Sequence, residues 1–143
     1  MFTRPAVPAL SVVALMLGSA CALNHMSPSS TLTGSWGGEH VVLTVSEPAT
    51  HLEFDCAHGD LSDRITIDAQ GRFNMAGTFV RERAGPVRQD AAPDSHPASY
   101  EGSVLADTMT LTVRLVGSGE PIGAFTLIRG ATGRIVKCRQ AGR

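Results

Sequence analysis

Asp55-Cys56-Ala57-His58-Gly59-Asp60 brings a thiol, an imidazole and two carboxylates into one short run, and His40 and His51 precede it. Two chemistries suit those side chains. Carboxylate, imidazole and thiolate together could ligate a metal ion, or His58 could activate Cys56 as a nucleophile. A structural zinc site, however, shows ligands in pairs at both ends, and this chain has no second pair and no C-x-x-C spacing. It also contains neither G-x-S-x-G nor H-E-x-x-H. The run therefore reads as a β-turn in which Gly59 and Asp60 are the turn residues, with His40 at the solvent-facing start of a strand. No catalytic residue, metal or cofactor is assigned. A hydrolase or metalloprotein centred on His40, Asp55 and His58 stands as an alternative.

The N-terminus decides what the cysteines do. Arg4 is the only charged side chain before Glu39, and an apolar run from Pro5 to Leu17 is followed by Gly18, Ser19 and Ala20. A basic start, a short apolar run and a small-residue exit make residues 1–21 a secretion signal, expected as a cleaved helix. The run is shorter than the roughly 20 apolar residues of a membrane-spanning helix. Leu17-Gly18-Ser19-Ala20-Cys21 resembles the lipobox of bacterial lipoproteins, which implies lipidation of Cys21. Ala20-Cys21-Ala22 equally satisfies ordinary signal peptidase cleavage. The first reading implies an outer-membrane lipoprotein facing the periplasm, since Ala22 rather than Asp follows the cysteine. The second implies a soluble periplasmic or secreted protein. Either way Cys56 and Cys138 are left in an oxidising compartment, where two thiols of one domain most often form a disulfide.

Residues 22–31 are polar and Ser-rich, a flexible tether. Residues 32–143 then make one small domain. Once Arg4 leaves with the signal, 11 basic and 13 acidic residues remain, a net charge of −2. Charges alternate in sign and form no basic patch, which excludes a nucleic-acid partner.

Positioning falls to strands. Val41, Leu43 and Val45 share one parity, as do Leu52, Phe54 and Cys56, then Phe73, Met75, Gly77 and Phe79. Ile65 and Ile67 alternate with polar neighbours, and Met109, Leu111, Val113 and Leu115 oppose Thr108, Thr110, Thr112 and Arg114. Ile122–Ile128 and Arg134–Cys138 complete the set. Asp68-Ala69-Gln70-Gly71, Ala106-Asp107 and Gly117-Ser118-Gly119-Glu120 are turns short enough to force antiparallel neighbours. The fold expected is all-β, a single antiparallel up-and-down barrel of about eight strands. Cys56 and Cys138 are then expected to point to the apolar side of an early and a last strand. The stretch from Arg81 to Ser99, with Gly85-Pro86, Pro93 and Pro97, reads as a long structureless loop.

Leu32-Thr33-Gly34-Ser35-Trp36 resembles the G-x-W opening of lipocalin-type and avidin-type barrels. That resemblance implies a Trp36 that plugs one barrel end. The chain is shorter than a typical lipocalin, without its C-terminal helix, and lacks the tryptophans of the avidin pocket. Trp36-Gly37-Gly38-Glu39-His40, Phe54-Asp55-Cys56-Ala57-His58-Gly59, Gly71-Arg72-Phe73 and Gly85-Pro86-Val87 also resemble small bacterial lipoproteins of unassigned role. A barrel of this size is filled by its own side chains or holds one small ligand. If a ligand is held, Trp36, Leu43, Phe54, Phe73, Phe79, Met109, Leu111 and Phe125 would line its site.

The sequence thus points to an exported, non-catalytic barrel module, expected as a monomer, that takes a small apolar ligand or an envelope protein, with the membrane reached through a lipid anchor. An inhibitor or envelope-assembly factor acting through residues 81–99 is the second reading.

Overall fold

In the computed structural model, residues 29–86 and 88–138 are described; the expected signal, Cys21 and most of the tether lie outside them. The chain forms strands β1 (Ser30–Thr31), β2 (Gly34–Gly38), β3 (Val41–Val45), β4 (Thr50–Phe54) and β5 (Ala57–Leu61). These are followed by β6 (Thr66–Ile67), β7 (Arg72–Arg81), β8 (Asp94–Leu105), β9 (Thr108–Leu115) and β10 (Pro121–Arg129). Eight of them close an antiparallel barrel in the order β10-β2-β3-β4-β5-β7-β8-β9. The described residues contain no helix. The expected all-β up-and-down barrel is the fold observed.

Period-two alternation makes the barrel because each strand turns one apolar parity inward. Along β9, Met109, Leu111, Val113 and Leu115 are buried, while the residues between them are exposed or half-buried. Along β3 the buried residues are Val41 and Leu43, and along β4 they are Thr50, Leu52 and Phe54. Reading the registers around the barrel places the β2–β3, β4–β5, β7–β8 and β9–β10 connections at one end, called the rim below. At the other end β1 pairs with β6, so the last residues of the expected tether are strand, and the N–H of Leu32 donates to the Ile65 carbonyl at 2.9 Å. Ile65, expected in a barrel strand, instead plugs this end, fully buried beside β6.

Further local expectations are corrected. Residues 57–61 are strand β5, not a turn; the turn is Asp55-Cys56, with Cys56 at φ 49°. Gly59 belongs in this strand because the Tyr100 hydroxyl fills the space a Cβ would need. The long loop shrinks to residues 82–93, since β7 runs to Arg81 and β8 begins at Asp94. Pro97 is tolerated in β8 because its carbonyl accepts the N–H of Val116 at 2.9 Å, just past β9, so the missing N–H removes only a bond where the ladder ends.

Residues 134–138 are a tail, not a strand, joined by one isolated bridge between Glu39 and Arg134. The chain reverses after β10 and passes so closely over β2 that a Cβ on Gly37 would collide with the backbone of Ala131 and Gly133. Gly37 is what permits this crossing, whereas Gly38 leaves room for the Thr126 carbonyl of β10.

Candidate functional site

The barrel interior comes first, because the expected ligand contacts lie there. Trp36, Leu43, Phe54, Phe73, Phe79, Met109 and Leu111 are all at most 6 % exposed. Side chains around a hollow would keep surface that water can touch; these have almost none, so they fill the barrel with their own volume. The rings of Phe79 and Phe125 pack on Phe54 with centroids 5.5 Å and 5.4 Å away. Phe125 is only half-buried. Tyr100 is buried, and its hydroxyl donates to the Thr78 carbonyl at 2.6 Å. Burial, then the nearby Asp60 charge, pushes the Tyr100 phenol well above its usual range. Trp36 donates its indole N–H to the Thr33 carbonyl at 3.3 Å, and the Arg129 guanidinium lies 4.3 Å from the ring centroid.

The chemically capable residues lie outside the barrel. β4 and β5 pair so that His51 faces Asp60 and Glu53 faces His58 on their outer surface. The His51 ring bonds the Asp60 and Glu53 carboxylates, each at 2.7 Å, and His58 bonds Glu82 at 3.0 Å. The ammonium of Lys137, arriving on the tail, contacts Glu53, lies 3.3 Å from Glu82 and donates to the Ala57 carbonyl at 3.2 Å. His40 pairs with Asp55, which also accepts the N–H of Val136 at 2.6 Å.

These contacts set the charges. Burial pulls the His51 pKa down, but its bonds to Asp60 and Glu53 outweigh that and hold it above the usual histidine value. Burial would raise Glu53 and Glu82, yet Lys137 with His51 and His58 respectively holds both below the usual range. The Val136 N–H, with His40 in support, lowers Asp55. Burial works against the Lys137 cation, but Glu53 and Glu82 raise its pKa.

His40 and Asp55 are therefore brought together, while His58 turns to Glu82 instead. Among the described residues no group of three or more His, Cys, Asp and Glu is arranged to hold a metal. Cys56 and Cys138 lie at disulfide-bonding distance with Cα atoms 4.8 Å apart. Both are half-buried on the rim, not on an apolar strand face as parity implied, because Cys56 sits in a turn and Cys138 on the tail. Glu53, Glu82 and Lys137 were missed from sequence, and Asp60 reads there as a turn residue. The pairs His51-x-Glu53 and His58-x-Asp60 were a visible signal, since period two puts each pair on one face.

Beside the disulfide is a cleft of about 510 Å³. Val80, Ala91, Ala92 and Pro93 give it apolar surface; Arg81, Glu82, Arg83 and Asp94 give it charge, and Cys138 closes one side. Arg81 is paired with Glu120 at 2.8 Å and Arg83 with Asp94 at 3.5 Å. A shallower depression of about 350 Å³ lies on the sheet surface between Arg72, Asn74, Glu101 and Thr112. No known protein family, curated protein or solved structure matches this chain.

Proposed function

We propose that the protein is exported and acts as a non-catalytic β-barrel binding module whose ligand sits in the rim cleft rather than inside the barrel. The ligand class is a small molecule with an apolar body and a charged or polar end. One observation carries this reading: the cleft of about 510 Å³ combines apolar and charged walls, while the barrel's inner side chains occupy its interior. That volume falls within the roughly 300–1,000 Å³ of small-molecule sites. The cleft draws on both ends of the β7–β8 connection, the segment singled out as a candidate interaction loop. Lipid attachment at Cys21 would hold the module at a membrane; ordinary cleavage would free it. Detergent partition of wild type against Cys21→Ser distinguishes the two.

The apolar anion 8-anilinonaphthalene-1-sulfonate is a suitable probe of the cleft. Replacing residues 84–92 by a two-residue turn should abolish its fluorescence enhancement while the β-sheet circular dichroism is kept. Undiminished enhancement in the folded deletion variant would refute the assignment.

A further inference from the structure

Among the described residues, the part of the cleft wall that a cross-link secures is Cys138 on the tail, and that bond is reducible. Cys138 lines the cleft, and its partner Cys56 accepts the N–H of Glu82, another lining residue, through its carbonyl at 2.8 Å. Lys137, next to Cys138, lies against Glu82 as well. The disulfide therefore joins three pieces at one point: the β4–β5 turn, the base of the β7–β8 loop and the tail. The remaining holds on residues 136–138 are the Val136 N–H on Asp55 and the contacts of Lys137; apart from the Lys137 bond to the carbonyl of buried Ala57, they fall on side chains about a third open to solvent. Exposed pairs of this kind contribute little, and each ordered residue costs conformational entropy.

From this geometry we infer that the Cys56–Cys138 disulfide is a redox latch controlling the rim cleft. Oxidised, it holds the tail as a wall and the site is competent; reduced, the tail lifts and the site is lost. The inference rests on the cleft being the binding site and adds its regulation. Opening is a thiol–disulfide exchange with a dithiol. One reductant thiolate attacks a latch sulfur, and a mixed disulfide forms as the other cysteine leaves as thiolate. The reductant's second thiol then closes its own disulfide and releases the first. Two electrons and two protons pass to Cys56 and Cys138, and the reductant ends oxidised.

The test compares the oxidised chain, the same chain in dithiothreitol and Cys138→Ser by amide hydrogen exchange and by titration with 8-anilinonaphthalene-1-sulfonate. Expected on reduction or substitution is at least a tenfold loss of protection at Val136–Cys138. Faster exchange at residues 82–83, 91, 92 and 94 and at least fivefold weaker probe binding should accompany it, with the Leu43 and Leu111 amides still protected. Unchanged tail protection overturns the latch, and so does tail release with undiminished probe binding. Exchange of Leu43 and Leu111 at the unfolded-chain rate also overturns it, since the barrel itself then fails to form without the bond. If the oxidised chain binds no probe, the cleft reading fails, and the exchange at 82–83, 91, 92 and 94 alone decides whether the latch governs the loop.

Discussion

Tyr100 shows how a single polar atom shapes this interior. Its hydroxyl occupies the place left by Gly59 and donates to the Thr78 carbonyl across the barrel wall. Tyr100→Phe keeps the ring but strips that carbonyl of its partner, and is expected to lower unfolding free energy by about 1–3 kcal/mol. A urea titration followed by circular dichroism measures this, and an unchanged midpoint would contradict it. At this scale much was legible. The inward set from Leu43 to Leu115 follows from parity, because a strand leaves its side chains only two directions. The charged partners of the histidines were not legible. Glu82 and Lys137 are local in neither sequence nor pattern, and meet His58 and Glu53 only after the barrel closes and the tail folds back.

The outer face of β4 and β5, with the tail laid against it, makes stability depend on pH from both sides. The folded state raises His51, so its contribution is complete below the ordinary value of 6.5 and fades as pH rises through the higher folded value. The folded state lowers Glu53 and Glu82, so theirs is complete above 4.5 and is lost as pH falls through the lower folded values. Asp55, lowered from 3.8, acts in the same direction at lower pH. Stability should therefore be greatest between pH 4.5 and 6.5. Urea midpoints at pH 3, 5.5 and 8.5 check this, and His51→Gln should flatten the alkaline side and, because His51 also lowers Glu53, soften the acid side. A monotonic rise from pH 3 to 8.5 would sink the account. Element boundaries were the least legible part of the fold. Gly59 and Asp60 look like turn residues, yet β5 passes through them, because Tyr100 needs a residue without a side chain there. Pro97 looks like a loop marker, yet it stands in β8 opposite a strand end where its missing N–H costs one terminal bond. In both cases a tertiary neighbour overrides local preference.

For the molecule as a whole, one covalent link joins positions 82 residues apart, from the β4–β5 turn to the tail. Constraint of so long a loop in the unfolded chain gives about 4–5 kcal/mol in the chain-entropy model. Cys56→Ser/Cys138→Ser is expected to fold but to unfold at lower urea; an unaltered midpoint would show that the bond confers no net stability. The pairing of these cysteines was legible because only two remained once Cys21 was set aside. Their setting was not, since parity presumed that both stood in strands. The cleft was legible only in part: proline and glycine marked the β7–β8 connection as unusual, but nothing local shows that Cys138 returns to wall it.

Whether the barrel or its rim receives a ligand is most directly tested by a heteronuclear NMR titration of the oxidised protein with 8-anilinonaphthalene-1-sulfonate, following backbone amides and methyl groups together. Shifts should concentrate at residues 80–83, 91–94 and 138, with the methyls of Leu43, Met109 and Leu111 unmoved. Saturating shifts at those interior methyls, with the rim silent, would contradict the account.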